Sequence, residues 1–159
     1  MVRHFILHYQ GDNMNNKTIL LIEDNPSDID LTKQAFKKWH IANKLVVVED
    51  GQDALDYIFC RAKYANRDKN QMPALVLLDL KLPKIDGLEV LRKIRATKEI
   101  KKLPVIILTS YTEEMDVTTY YNLGVTSYIR KPLDFNQFVE AVNHFDLYWL
   151  VVSELPPLV

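Results

Sequence analysis

The chain has 159 residues, 48% hydrophobic and 26% charged, which suits one domain of ordinary globular make-up and is tight for two. A formal net charge of −1 gives no general drive toward nucleic acid or an anionic membrane surface, and no apolar run approaches the ~18 residues of a membrane span. Cys60 is the only cysteine, so an intrachain disulfide is excluded, a reducing cytoplasm fits, and Cys60 reads as a small core residue after Ile58-Phe59.

Residues 1–16 read as an N-terminal extension, 17–146 as the domain and 147–159 as a C-terminal tail. Phe5-Ile6-Leu7 is too short for a signal-peptide core. Met14 stands just before the first strand, so residues 1–13 are expected to lie upstream of the natural start; the alternative is an arm packed on the domain.

Short apolar runs then alternate with helical stripes. Thr18 to Ile22 is a β-rich run ended by Glu23-Asp24, and Asn25-Pro26-Ser27 marks a helix start. Leu31, Ala35, Phe36 and Trp39 follow at helical spacing. Leu45 to Val48 is the second run, and Ala54, Leu55, Ile58 and Phe59 form the second stripe. The polar stretch Arg61–Gln71 exceeds the ~2–6 residues usual for a connection and reads as a helix end plus a surface insertion. Ala74 to Leu78 is the third run, ended by Asp79, and Leu88, Leu91 and Ile94 mark the third helix. Val105 to Leu108 is the fourth, ended by Thr109-Ser110. A weaker helix from Met115 to Leu123 closes at Gly124 as a C-cap. Ser127 to Ile129 is a short fifth strand ended by Lys131-Pro132, and Phe135, Phe138, Val139 and Val142 begin the last helix. Strands apolar on both faces, alternating with helices, predict an α/β fold: a doubly wound, five-stranded parallel sheet with helices on both faces.

Ligands of such sheets bind beyond the carboxyl ends of the strands. Those ends carry Glu23 and Asp24, Asp79, Thr109 and Ser110, and Lys131: three carboxylates, hydroxyls and an ammonium. Clustered carboxylates repel one another, raise each other's pKa and invite a hard divalent cation, Mg²⁺ above all. Asp79, on the central run, can attack a phosphoryl group whose charge is neutralised by Mg²⁺ and Lys131 and bonded by the Thr109 hydroxyl; the product is an aspartyl phosphate.

The segments ILLIEDNPSD, LVLLDLKLPKIDG, VIILTS and YIRKP resemble the receiver-domain family of two-component signalling, with flavodoxin-like topology. Thirty positions separate Asp79 from Thr109, and twenty-two separate Thr109 from Lys131, which also fits. The resemblance covers Lys17 to about Phe145. It implies a response regulator that accepts phosphate on Asp79 from a sensor histidine kinase and signals by protein–protein contact. It implies Asp24 as direct metal ligand, Glu23 acting through water, the Lys81 backbone carbonyl and Asp79 completing the protein ligands, and Tyr128 as the aromatic switch partner of Thr109. It also implies that the chain is no enzyme beyond catalysing its own phosphorylation and a slow dephosphorylation, with Lys81 and Tyr111 bordering the hydrolytic water's path. The insertion before the third strand and the closing FDLYWLVVSELPP are similar to the subgroup that partners bacterial phytochromes.

Other classes fit less well. A haloacid-dehalogenase-type phosphatase needs a second Asp where Lys81 stands, and an FMN-binding flavodoxin needs an uncharged phosphate loop where Glu23-Asp24 stand. His4, His8, His40 and His144 show no zinc-ligand spacing. Tyr148 and Trp149 lie in an apolar tail beyond the stripe that the last helix needs, which predicts a homodimer through that face, or a tail folded over its own domain.

Overall fold

The computed structural model describes residues 18–110, 122–125 and 128–144, apart from the side chains of Thr109 and residues 142–144. Thr18–Ile22 (β1), Lys44–Val48 (β2), Leu75–Asp79 (β3), Val105–Thr109 (β4) and Tyr128–Arg130 (β5) form one parallel sheet in the order β2-β1-β3-β4-β5. Asp79 thus ends the middle strand, flanked by the ends of β1 and β4. The expected doubly wound sheet is present.

Helix Pro26–Lys38 (α1) starts where its sequence allows. The Asn25 side chain caps the amides of Ser27 and Asp28, Pro26 gives up no needed N–H, and Lys37-Lys38 face the negative end of the helix dipole. Asp50 and Asp86 cap the next two helices, Gly51–Ile58 (α2) and Gly87–Ala96 (α3), in the same way. The last described helix is Phe135–His144 (α4).

Alternation along each strand feeds two cores. Leu20, Ile22, Val76, Leu78, Val105 and Ile107 pack on α2 and α3. Ile19, Leu21, Leu75, Leu77, Ile106 and Leu108 pack on α1 and α4. Each fully buried Leu or Ile contributes about 1.5–3 kcal/mol. Trp39 fastens α1 to α4, with its ring 5.0 Å from Phe135 and 5.5 Å from Phe138.

Two expectations need correction in detail. Leu31 does not belong to the buried stripe of α1 and is 48% exposed; the inward residues are Ile29, Thr32 and Phe36. Thr32 can be buried because its hydroxyl donates to the Asp28 carbonyl at 2.9 Å. The second concerns Arg61–Gln71: α2 ends at Ile58, before this stretch begins, whereas the expected surface insertion is present. It contains a 3₁₀ turn at Ala62–Tyr64. Arg67 lies 3.8 Å over the Tyr57 ring and donates to the Tyr57 carbonyl, while Tyr64 donates to Asp53. Gly124 has φ +73°, as a helix C-cap requires. Tyr111, the body of the weaker helix, the N-terminal extension, and the tail with Tyr148 and Trp149 lie outside the described residues. Among the described residues, no helix is long and apolar enough to cross a membrane.

Candidate functional site

The strand ends bring the predicted side chains together. Glu23 follows β1, with its amide donating to the Val48 carbonyl at 3.0 Å, and is 1% exposed. Asp79 is 4% exposed, and Asp24 faces solvent. One carboxylate oxygen from each of Glu23, Asp24 and Asp79 lies within 4.8 Å of the others. Lys131, just after β5, reaches back over them. Its Nζ lies 2.6 Å from Glu23 Oε2, 3.2 Å from Asp79 Oδ2 and 3.1 Å from Asp28 Oδ2.

Asp28 was missed in the sequence. It sits in the first turn of α1, and because that helix begins directly at the end of β1, its side chain faces the site. The usable signal was the short Glu23-to-Pro26 connection, which leaves the first helical turn nowhere else to lie. Tyr128 is 46% exposed and pairs with Ile107, while Thr109 pairs with Arg130. The Thr109 side chain lies outside the described residues. Lys81 donates its amide to Asp79 Oδ1 at 3.4 Å and lines an open depression with Asp24, Leu82, Pro83 and Asp86.

The electrostatics are lopsided. Burial is the largest influence on Glu23 and pushes its carboxyl up to about 7. Lys131 and the Asn25 amide pull it back down, and the Asp79 charge adds to the rise. The sequence pointed to mutual repulsion as the main cause; for Glu23, desolvation comes first and repulsion is secondary. Burial works to lower the Lys131 pKa, but hydrogen bonding to Glu23 and the charges of Asp79 and Glu23 outweigh it and raise it.

The donor set suits a hard cation. All three groups offer oxygen, as Mg²⁺ and its neighbours require. Glu23 Oε2 is buried without a well-directed hydrogen bond, despite its short ion pair with Lys131. A buried acceptor left in this condition is costly unless something else satisfies it.

The model of the response regulator receiver domain matches residues 19–143. The chain belongs to that family. Rcp1, a response regulator from Synechocystis, is 35% identical over 140 residues, covering 88% of this chain and 93% of Rcp1. The structure of the bacteriophytochrome response regulator AtBRR is 45% identical with a TM-score of 0.79, and the match covers 87% of this chain and 99% of AtBRR. The phosphorylated cyanobacterial phytochrome response regulator RcpA is 37% identical with a TM-score of 0.68, over 89% of this chain and 99% of RcpA. Rcp1 has been solved in a Mn²⁺-bound form, 35% identical to this chain with a TM-score of 0.68 over 89% of this chain and 99% of the Rcp1 chain. The protein is therefore a phosphorelay response regulator of the receiver type, a signalling protein similar along most of its length to phytochrome response regulators.

Proposed function

We propose that Asp79 is the phosphoacceptor, that Mg²⁺ is the working cation, and that the donor is a sensor histidine kinase of phytochrome type. The observation that carries this is the pairing of Asp79 with Lys131 at 3.2 Å on one side and with Glu23 and Asp24 on the other. A nucleophilic carboxylate held between a fixed cation and a metal-ligand set is what phosphoryl transfer needs, because the reaction depends on position and charge neutralisation.

The residues divide the work. Asp24, Asp79 and the Lys81 carbonyl would hold Mg²⁺, with Glu23 acting through a bound water. When bound, the cation would neutralise phosphoryl oxygens and orient the donor. Asp79 forms the new O–P bond as the donor's N–P bond breaks. Lys131, freed from Asp79, ion-pairs with a phosphoryl oxygen, and the Thr109 hydroxyl bonds another. The chain thereby catalyses its own phosphorylation and a slow hydrolysis, with Lys81 and Tyr111 screening the phosphoryl group from water. Support for the metal comes from the Mn²⁺-bound form of Rcp1, and support for the phosphorylated state from RcpA.

Tyr128 faces outward in this structure. On phosphorylation, Thr109 would move toward the phosphoryl group and Tyr128 would turn into the space left behind, changing the β4–β5 face that partners read. Output then passes through protein contact, with a homodimer through Tyr148 and Trp149 in the cytoplasm, rather than through nucleic acid or membrane. The direct test is phosphorylation by acetyl phosphate in Mg²⁺, read by intact mass. Wild type should gain one phosphoryl group and Asp79→Asn none.

A further inference from the structure

Resting on the reading of Asp79 as a metal-dependent phosphoacceptor, we infer that the Asp50–Lys84 ion pair is a positioning device that holds the loop between β3 and α3 against the site. Loop residues 80–86 include Lys81, whose carbonyl is the proposed third kind of metal ligand. The base of the loop is closed by a backbone bond, with the Gly87 amide donating to the Leu80 carbonyl at 2.9 Å. Its tip is different. The Ile85 amide donates to the Pro83 carbonyl at 2.8 Å, which closes a three-residue turn centred on Lys84. Lys84 has φ +66°, a left-handed conformation that a residue with a Cβ adopts only when its surroundings hold it there.

Those surroundings are the start of α2. The Gly51 amide also donates to the Pro83 carbonyl, at 3.3 Å. A Cβ on Gly51 would lie 1.8 Å from the Ile85 carbonyl oxygen, so only glycine lets the helix start and the turn meet. Asp50 joins the two with one carboxylate. Oδ1 caps α2 by accepting from the Asp53 amide at 2.7 Å, and Oδ2 lies 3.4 Å from Lys84 Nζ. Burial works to raise the Asp50 carboxyl, but the Asp53 amide and Lys84 hold it below its usual value. Neither Asp50 nor Lys84 belongs to the metal-ligand set. They act on it through the loop, so they are positioning residues.

Three variants separate the contributions. Asp50→Asn keeps the cap acceptor and removes the ion pair. Lys84→Met removes the charge and leaves a residue ill-suited to the left-handed turn. Lys84→Gly also removes the charge, but glycine, with no Cβ, adopts a positive φ without strain. All are measured for melting, for Mg²⁺ binding by calorimetry and for Ile85 amide exchange in metal-free protein. The expected loss of Mg²⁺ affinity is about two- to fivefold for Asp50→Asn and for Lys84→Met, the range an exposed ion pair can supply. The Asp50→Asn/Lys84→Met double variant should lose no more than either single one. Lys84→Gly should stay within about twofold of wild type. Ile85 exchange should quicken in the first two variants alone. Wild-type affinity and exchange in Lys84→Met would overturn the inference, and so would additive losses in the double variant. A wild type that binds no Mg²⁺ would instead overturn the site reading, and Ile85 exchange would still decide whether the ion pair holds the turn.

Discussion

Lys131 Nζ lies 3.2 Å from Asp79 Oδ2, although 52 positions separate the two residues, one ending β3 and the other following β5. The same ammonium holds Glu23 and Asp28. One cation thus serves three carboxylates, two of them buried. Removing it should leave those charges uncompensated, at a cost of about 3–5 kcal/mol. Lys131→Met should therefore melt well below wild type in metal-free buffer at pH 8. Added Mg²⁺ should recover part of the difference. Equal metal-free melting temperatures would show that the cluster does not depend on Lys131.

Glu23 adds a pH dependence. Its carboxyl is raised from 4.5 to about 7 in the folded chain. A raised carboxyl binds its proton more tightly when folded, so its contribution to stability is full below about 4.5 and is lost as pH rises through about 7. Metal-free wild type should lose on the order of 2 kcal/mol from this group across that window, and Glu23→Gln should not. Denaturant melts of both proteins at pH 5 and pH 8 give the difference. Parallel pH profiles would count against the raised carboxyl.

Leu31 offers a docking handle. It is one of two large apolar side chains found exposed among the described residues, and with Pro132 and Leu133 it lines the crevice leading to Glu23 and Lys131. On the proposed function, a kinase that delivers phosphate to Asp79 is expected to contact this rim beside Lys131. Leu31→Arg should slow transfer from a cognate phytochrome-type kinase by about tenfold or more, the scale of an interface hot spot. Labelling by acetyl phosphate should stay at the wild-type rate. Equal slowing with both donors would place the effect on chemistry rather than docking.

Sedimentation tests the proposed homodimer. Phosphorylated wild type should associate more tightly than the unphosphorylated protein. Trp149→Ala and Tyr148→Ala should weaken association while leaving phosphorylation intact. A monomer in both phosphorylation states at tens of micromolar, the concentration range where a functional dimer of about micromolar affinity would be filled, would eliminate the dimer.

Much of this architecture could be read from the residues because the signals were local. The strands are short runs, and four of the five, all but β2, end at or just before a polar residue that builds the site, so chain order and strand-end chemistry together pointed to Glu23, Asp24, Asp79 and Lys131. What escaped depended on which way helical side chains face. Asp28 lies in a helix rather than at a strand end, so strand-end chemistry did not point to it, and the tight β1–α1 connection turns it toward Lys131. Leu31 looked like core because Thr32, which occupies the buried position, is polar and satisfies its hydroxyl within its own helix. The Arg61–Gln71 stretch could be read as a surface insertion, but not how it is held, because its anchor, Arg67 over Tyr57, joins residues ten positions apart across a 3₁₀ turn.

The most direct measurement is intact mass after incubation with acetyl phosphate and Mg²⁺, on wild type and Asp79→Asn side by side. Wild type should gain one phosphoryl group, lose that gain when Mg²⁺ is chelated beforehand, and leave Asp79→Asn unmodified. Stoichiometric labelling of Asp79→Asn, or labelling of wild type that survives prior chelation, would contradict the account.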